Sequence, residues 1–94
     1  MAFYTYILAS QRNGTLYTGS TEDLYVRVSE HRQKLRPGFT SKYEVDRLVW
    51  FEVHDTRESA FVRESQIKKW NREWKLRLIE RSNPSWRDLI EDML

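Results

Sequence analysis

Two short runs dominated by apolar and aromatic residues, Phe3-Tyr4-Thr5-Tyr6-Ile7-Leu8 and Leu16-Tyr17-Thr18-Gly19, flank a polar stretch and read as strands, whose side chains point to two faces with a period of two. Both runs are rich in aromatic and β-branched residues, and the Asn13-Gly14 pair between them is a strong short-range hairpin signal. Strands are predicted over 3–9 and 16–20. With a loop of two or four residues centred on Asn13-Gly14, paired positions sum to an odd number. Tyr6 and Tyr17 then project from the same sheet face, and a slip of one residue would separate them.

The period then lengthens. A helix is predicted from about Asp23 to Lys34, with Ser20, Thr21 and Asp23 all suited to cap its start. Leu35-Arg-Pro-Gly-Phe-Thr-Ser41 contains a Pro-Gly pair and reads as a loop. Arg47-Leu-Val-Trp-Phe-Glu-Val-His54 reads as a third strand, expected to be the most buried of the three. Asp55 or Thr56 caps a second helix from about Arg57 to Lys69, and Asn71 a third through about Glu80. Pro84, at the first helical position after Asn83, starts a short terminal helix. The order β-β-α-β-α-α-α predicts an α/β (α+β) fold in which a small, largely antiparallel sheet is flanked by helices. No internal repeat or low-complexity tract interrupts it.

A length of 94 residues suits one domain over 1–94 with a modest core. There is no cysteine, which removes disulfides, thiolate chemistry and Cys-based zinc and suits a reducing cytoplasm. No apolar run approaches the roughly 20 residues of a membrane span; the expectation is a soluble, cytoplasmic protein. Sixteen Lys and Arg against fourteen acids leave a net charge of only +2, so any polyanion site has to be local. Arg32, Lys34, Arg36 and Lys42, then Arg63, Lys68, Lys69, Arg72, Lys75 and Arg77, suggest one basic face. Four Trp and five Tyr supply stacking surfaces or, more commonly, core.

Two helices carry polar residues where apolar ones belong. At about 100° per residue, Leu24, Val28 and Leu35 share a narrow sector of the first helix; His31 falls inside it and Arg27 borders it. Each alone reads as a satisfied core histidine or a snorkelling arginine. Together they offer a planar, permanently charged fork for phosphate oxygens and a group that donates to phosphate or relays a proton near neutral pH. In the second helix Glu64 falls in the middle of an apolar side formed by Ala60, Phe61 and Ile67. A carboxylate there needs a partner, either a base such as Arg27 or a hard divalent cation. Magnesium requires only one or two carboxylates when water and substrate phosphate complete its shell. A two-metal site lacks a second acid, and two histidines, His31 and His54, make no zinc spacing.

Tyr4-Thr5-Tyr6, Tyr17-Thr18-Gly19, Leu24-x-x-Arg27-x-x-x-His31, Lys42-Tyr43, Arg47-Leu-Val, Ala60-x-x-x-Glu64-x-x-Ile67-Lys-Lys69 and Asn83-Pro-x-Trp-x-Asp-Leu89, in this order, resemble the GIY-YIG nuclease superfamily. The likeness covers nearly the whole chain and is closest to the small stand-alone UPF0213 branch, itself similar to the N-terminal nuclease domain of the repair excinuclease. It implies a three-stranded antiparallel sheet and one divalent ion, Mg2+ or Mn2+, on Glu64. It also implies that Tyr17 or Tyr6 orients or deprotonates the attacking water and that Arg27 stabilises the pentavalent phosphate. His31 completes the catalytic set, Gly19 permits close approach of backbone or substrate, and Lys42 and Lys68 are candidate substrate contacts. The first motif departs from the family in having Tyr4 and Thr5 for glycine and isoleucine, and the second in having Thr18 for isoleucine. The expected activity is metal-dependent endonucleolytic hydrolysis of DNA, leaving 5′ phosphate and 3′ hydroxyl, in repair or recombination. A domain this small is expected to need a branched or damaged substrate, a protein partner or a homodimer, RNA remaining an alternative ligand. The competing readings are a non-catalytic nucleic-acid-binding module and an interaction domain built on Trp50, Trp70, Trp74 and Trp86.

Overall fold

The computed structural model describes residues 2–34, 38 and 42–93, and its first turn decides the register of the sheet. Gly14 N donates to Gln11 O at 2.9 Å and Ser10 N to Thr15 O at 3.0 Å, with Asn13 in the left-handed region at φ 58°. The turn is therefore centred on Arg12-Asn13, one residue before the Asn13-Gly14 centre that the sequence suggested. Asparagine tolerates this conformation better than most residues. Gly14 is needed for space instead, since a Cβ there would collide with Ser10 Oγ and lie 3.0 Å from Gln11 N. Moving the centre by one residue leaves the parity of the pairing unchanged. In strands β1 (Phe3–Ala9) and β2 (Leu16–Thr21), Ala9 pairs with Leu16, Leu8 with Tyr17 and Tyr6 with Gly19. Tyr6, Leu8 and Tyr17 consequently share one face.

Helix α1 (Leu24–Arg32) comes next, then β3 (Arg47–His54), α2 (Arg57–Lys68), α3 (Arg72–Ser82) and a 3₁₀ turn at Leu89–Met93. The loop predicted at 35–41 lies, apart from Gly38, outside the described residues. Asp23, Thr56 and Asn71 cap the three helices, each side chain accepting a first-turn N–H. The strands form an antiparallel sheet in the order β2-β1-β3. The most buried strand is β1, where Thr5 to Ala9 are fully enclosed, and not β3 as expected. The central strand is paired on both edges and covered on both faces. β3 is an edge strand, and its far half emerges at Val53, which is 58% exposed.

One core lies between the sheet and α1 with the 3₁₀ turn, where Tyr6 and Leu8 meet Leu24, Val28, Val45, Leu48 and Ile90. The other lies beneath α2 and α3, where Ile7 and Ala9 meet Trp50, Ile67, Ile79 and Trp86. The apolar side expected for the second helix is narrower than its sequence suggests. Ala60 and Ile67 are buried, but Phe61 is 60% exposed.

The pairing of β1 with β3 is irregular: Ile7 faces Trp50 and Leu8 faces Leu48, which leaves Val49 as an extra residue in a bulge. The segment after α3 satisfies the backbone groups freed there. Buried Asn83 donates from Nδ2 to Val49 O at 3.1 Å and to Arg87 O at 2.9 Å, and its Oδ1 accepts from Arg87 N at 3.2 Å. Asp88 Oδ1 accepts from Leu48 N at 3.3 Å and Ile90 N at 3.2 Å, and the same carboxylate pairs with Arg32 at the end of α1. Pro84 thus starts no helix. Asn83 caps the C-terminal end of α3, the chain turns through Trp86 at φ 58°, and fully buried Trp86 donates from Nε1 to Glu80 at 3.0 Å.

Replacing Asn83 by Ala leaves several enclosed backbone groups without partners. At about 1–3 kcal/mol per unsatisfied group, partly relieved by relaxation, the expected loss is about 3 kcal/mol. Urea denaturation should show this as a lower midpoint with an unchanged slope.

Candidate active site

The site starts from a missing side chain. A Cβ at Gly19 would lie 2.6 Å from the Tyr6 hydroxyl oxygen and 2.7 Å from Tyr6 Cζ, so the bare backbone of β2 is what lets the Tyr6 ring lie across it. This close approach is internal to the protein and accounts for Gly19 without a substrate. The Tyr6 ring is fully buried, with the half-buried Tyr17 ring 6.4 Å away between centroids.

The cap at Asp23, whose Oδ1 accepts from Val26 N at 3.1 Å, sets the phase of α1. Leu24, Val28 and His31 face inward as a result. His31 Nε2 lies 3.4 Å from the Tyr6 hydroxyl, a long hydrogen bond whose direction depends on the imidazole tautomer, and its ring centroid is 5.5 Å from that of Tyr17. Arg27, one turn earlier, is about a third exposed and makes a 3.4 Å ion pair with Glu30. The structure therefore gathers Tyr6, Tyr17, His31 and Arg27 on one face, as the interrupted stripe of α1 suggested.

Burial holds the Tyr6 phenol well above the ordinary tyrosine range. Tyr17 adds to the effect, Arg27 opposes it through its charge and a side-chain hydrogen bond, and Glu64 adds a smaller upward push. Tyr6 is thus a neutral phenol at physiological pH, able to donate a hydrogen bond and not poised as a phenolate base.

Glu64 lies on the other side of the sheet, and its charge is felt weakly at Tyr6. Its helix, α2, covers the opposite face, where Thr5 Oγ1 donates to Ala60 O at 2.8 Å. Ser20, paired with Thr5 on that face, donates to Glu64 Oε1 at 2.6 Å, while Lys68 Nζ sits 2.5 Å from Oε2. The base expected for Glu64 is therefore Lys68 rather than Arg27. The carboxylate, 12% exposed, stands at the β2 edge of the sheet. Among the described residues no cluster of three His, Cys, Asp or Glu side chains exists to cage a metal. A hard carboxylate beside a hydroxyl fits one magnesium-like ion whose remaining ligands are water and phosphate, provided Lys68 yields its oxygen.

Lys42 lies apart in sequence and packs its ammonium 5.5 Å from the Tyr43 ring centroid. Several of the basic residues grouped along the sequence have acids or carbonyls as partners. Lys34 pairs with Glu44, Arg63 with Glu52, Arg77 with Glu73, and Arg72 donates to the Asn13 and Gly14 carbonyls. Arg36 lies outside the described residues. Ser20 joins the site although its sequence context suggests only a helix cap. Its place two residues from Thr18 in a strand is the available signal, since that puts it on the face opposite Tyr17 and toward α2.

A family model described as "GIY-YIG catalytic domain" matches residues 2–77. UPF0213 proteins of Staphylococcus aureus strains Mu3 and Mu50 are each 37% identical over 68 residues, which is 72% of this chain and 83% of theirs. The solution NMR structure of a UPF0213 protein from Bacillus halodurans matches with a TM-score of 0.57 and 27% identity, covering 94% of this chain and 93% of that one.

The packing of Tyr6 has two measurable consequences. Gly19→Ala should cost about 1–3 kcal/mol through overpacking and break the Tyr6–His31 contact, visible as a shifted His31 ring resonance. Because folding raises the Tyr6 pKa above its unfolded value, its burial stabilises fully below about pH 10 and is lost as pH rises further. Thermal midpoints measured between roughly pH 8 and 11 should fall more steeply above about pH 10 for the wild type than for Tyr6→Phe. Parallel curves would contradict the assignment.

Proposed function

The chain belongs to the GIY-YIG catalytic-domain family, a nuclease family, and on that premise we propose that it is a metal-dependent endonuclease hydrolysing DNA phosphodiesters to 5′ phosphate and 3′ hydroxyl. The observation that carries this reading is the convergence of Tyr6, Tyr17, His31 and Arg27 on one face, with the Glu64 carboxylate at the adjoining sheet edge.

Arg27 exchanges its exposed partner Glu30 for the scissile phosphate, and its fixed charge and planar fork match the developing negative oxygens. Tyr6, neutral and immobilised against Gly19, positions His31. Tyr17, less enclosed than Tyr6, orients the attacking water, and the imidazole of His31 takes up its proton, as histidine does readily near neutral pH. Glu64 and Ser20 are the residues that would hold a divalent ion, Mg2+ or Mn2+. Such an ion would supply charge neutralisation for the departing oxygen. Lys68 then shifts from Glu64 to a neighbouring phosphate. The substrate class assigned is DNA whose branched or damaged shape provides selectivity, because the site offers phosphate contacts before base contacts.

The Lys68–Glu64 ion pair favours a second reading, in which the carboxylate is permanently neutralised and the protein binds nucleic acid without cutting it. Nicking of supercoiled plasmid and of labelled branched DNA, with magnesium or manganese, separates the two. Metal-dependent nicking that falls at least a hundredfold in both Arg27→Ala and Glu64→Gln, with folding intact, supports the nuclease. Undiminished cleavage in either variant removes its assigned role, and metal-independent binding without cleavage favours the second reading.

A further inference from the structure

On the side of the sheet away from Tyr6, α2 and α3 enclose a groove of about 270 Å³ lined by Arg63, Trp70, Trp74, Arg77, Leu78 and Arg81. Three guanidinium groups and two indoles meet there, and among the described residues no carboxylate joins the lining. The spacing of Trp74, Arg77, Leu78 and Arg81 along α3 puts them on one stripe. Leu78 packs toward the core, so this stripe faces the groove.

Trp74 is 52% exposed and stands edge-on to Trp70, with centroids 6.0 Å apart and planes at 80°. Trp70 in turn carries the Arg63 guanidinium 5.3 Å from its centroid, and Arg63 also reaches the Trp50 ring at 5.9 Å. Arg63 Nε lies 3.2 Å from Glu52 Oε1 in an ion-pair contact that lacks hydrogen-bond geometry. The exposed rim is cationic. Arg77 makes a solvent-exposed pair with Glu73, of the kind that exchanges readily. Among the described residues the Arg81 guanidinium has no ion pair or hydrogen bond.

An exposed indole braced by a second ring and flanked by arginine forks combines base stacking with bidentate phosphate contact. The volume is just under the roughly 300 Å³ at which drug-sized pockets begin, room for a planar ring and not for a folded partner. We propose that this groove binds a single-stranded nucleic-acid segment outside the cleavage site, an unpaired base stacking on Trp74 and the flanking phosphates resting on Arg77 and Arg81. The choice of nucleic acid over an acidic peptide rests on the nuclease reading and on the stacking platform. The groove gives a small nuclease a second grip on a strand that the catalytic face alone would hold weakly.

The test is fluorescence anisotropy of a labelled oligothymidylate in EDTA, where cleavage plays no part. Trp74→Ala should weaken binding roughly five- to hundredfold, Trp74→Phe should restore most of it, and an abasic strand should lose the dependence on Trp74. Arg81→Gln should lower the slope of log affinity against log salt by about 0.7 for the phosphate contact removed. The Trp74 effect should persist in Glu64→Gln, so a failed nuclease reading and a failed groove give different results. Equal binding by wild type, Trp74→Ala and Arg81→Gln, no binding at low salt, or displacement by polyglutamate as effective as by unlabelled strand would overturn the proposal.

Discussion

The contact between the Tyr6 ring and the bare backbone at Gly19 is the constraint on which the remaining geometry depends. It requires Tyr6 to pair with position 19, and that register is produced by the turn at Arg12-Asn13, with Asn13 left-handed and Gly14 filling a space where no Cβ fits. Once the ring lies across β2, its hydroxyl meets His31, and α1 has to be phased so that His31 points inward. The Asp23 cap and the buried Leu24 and Val28 supply that phase. A core side chain, a turn and a helix cap thereby become parts of one arrangement.

The same strand connects the two layers. Residues facing one way from β1 and β2 build the Tyr6–Tyr17–His31 cluster, and those facing the other way, Thr5 and Ser20, anchor α2 and the Glu64 carboxylate. A sheet edge lets groups from opposite faces approach one ligand, and β2 is an edge strand. Further stiffness comes from the far edge. Asn83 and Asp88 satisfy the β3 bulge, and Asp88 also ties down the end of α1. The terminal segment thus holds α1 against the sheet from the side opposite Tyr17 and Gly19.

Most of this arrangement is legible in the residue pattern because it rests on local rules. Apolar and aromatic runs mark the strands, Asp23, Thr56 and Asn71 mark the helix starts, and the polar interruptions at Arg27 and His31 mark residues that the structure places beside Tyr6, with Glu64 across the sheet on α2. The features that escape a sequence reading depend on tertiary context. Strand order cannot be read from propensity, so the aromatic run of β3 looks more central than β1. Asn83-Pro84 resembles a helix start, yet the bulge at Val49 uses the Asn83 amide as a brace. The partner of Glu64 is Lys68, a local i,i+4 pair, whereas Arg32, Lys34 and Arg63 meet Asp88, Glu44 and Glu52 through the tertiary fold. Phe61 fits an apolar stripe by angle but lies on an open flank of α2 beside Arg57 and Glu58.

The central claim is that the two faces of β2 combine into one phosphodiester site. A crystal structure of Glu64→Gln with a bound oligonucleotide tests it most directly. A shared site requires a phosphate within hydrogen-bond distance of Arg27 and of the Tyr17 or Tyr6 hydroxyl, with the strand running over the β2 edge beside Ser20. A nucleic acid held solely on α3, with Arg27 still on Glu30 and no phosphate near the tyrosines, would contradict it.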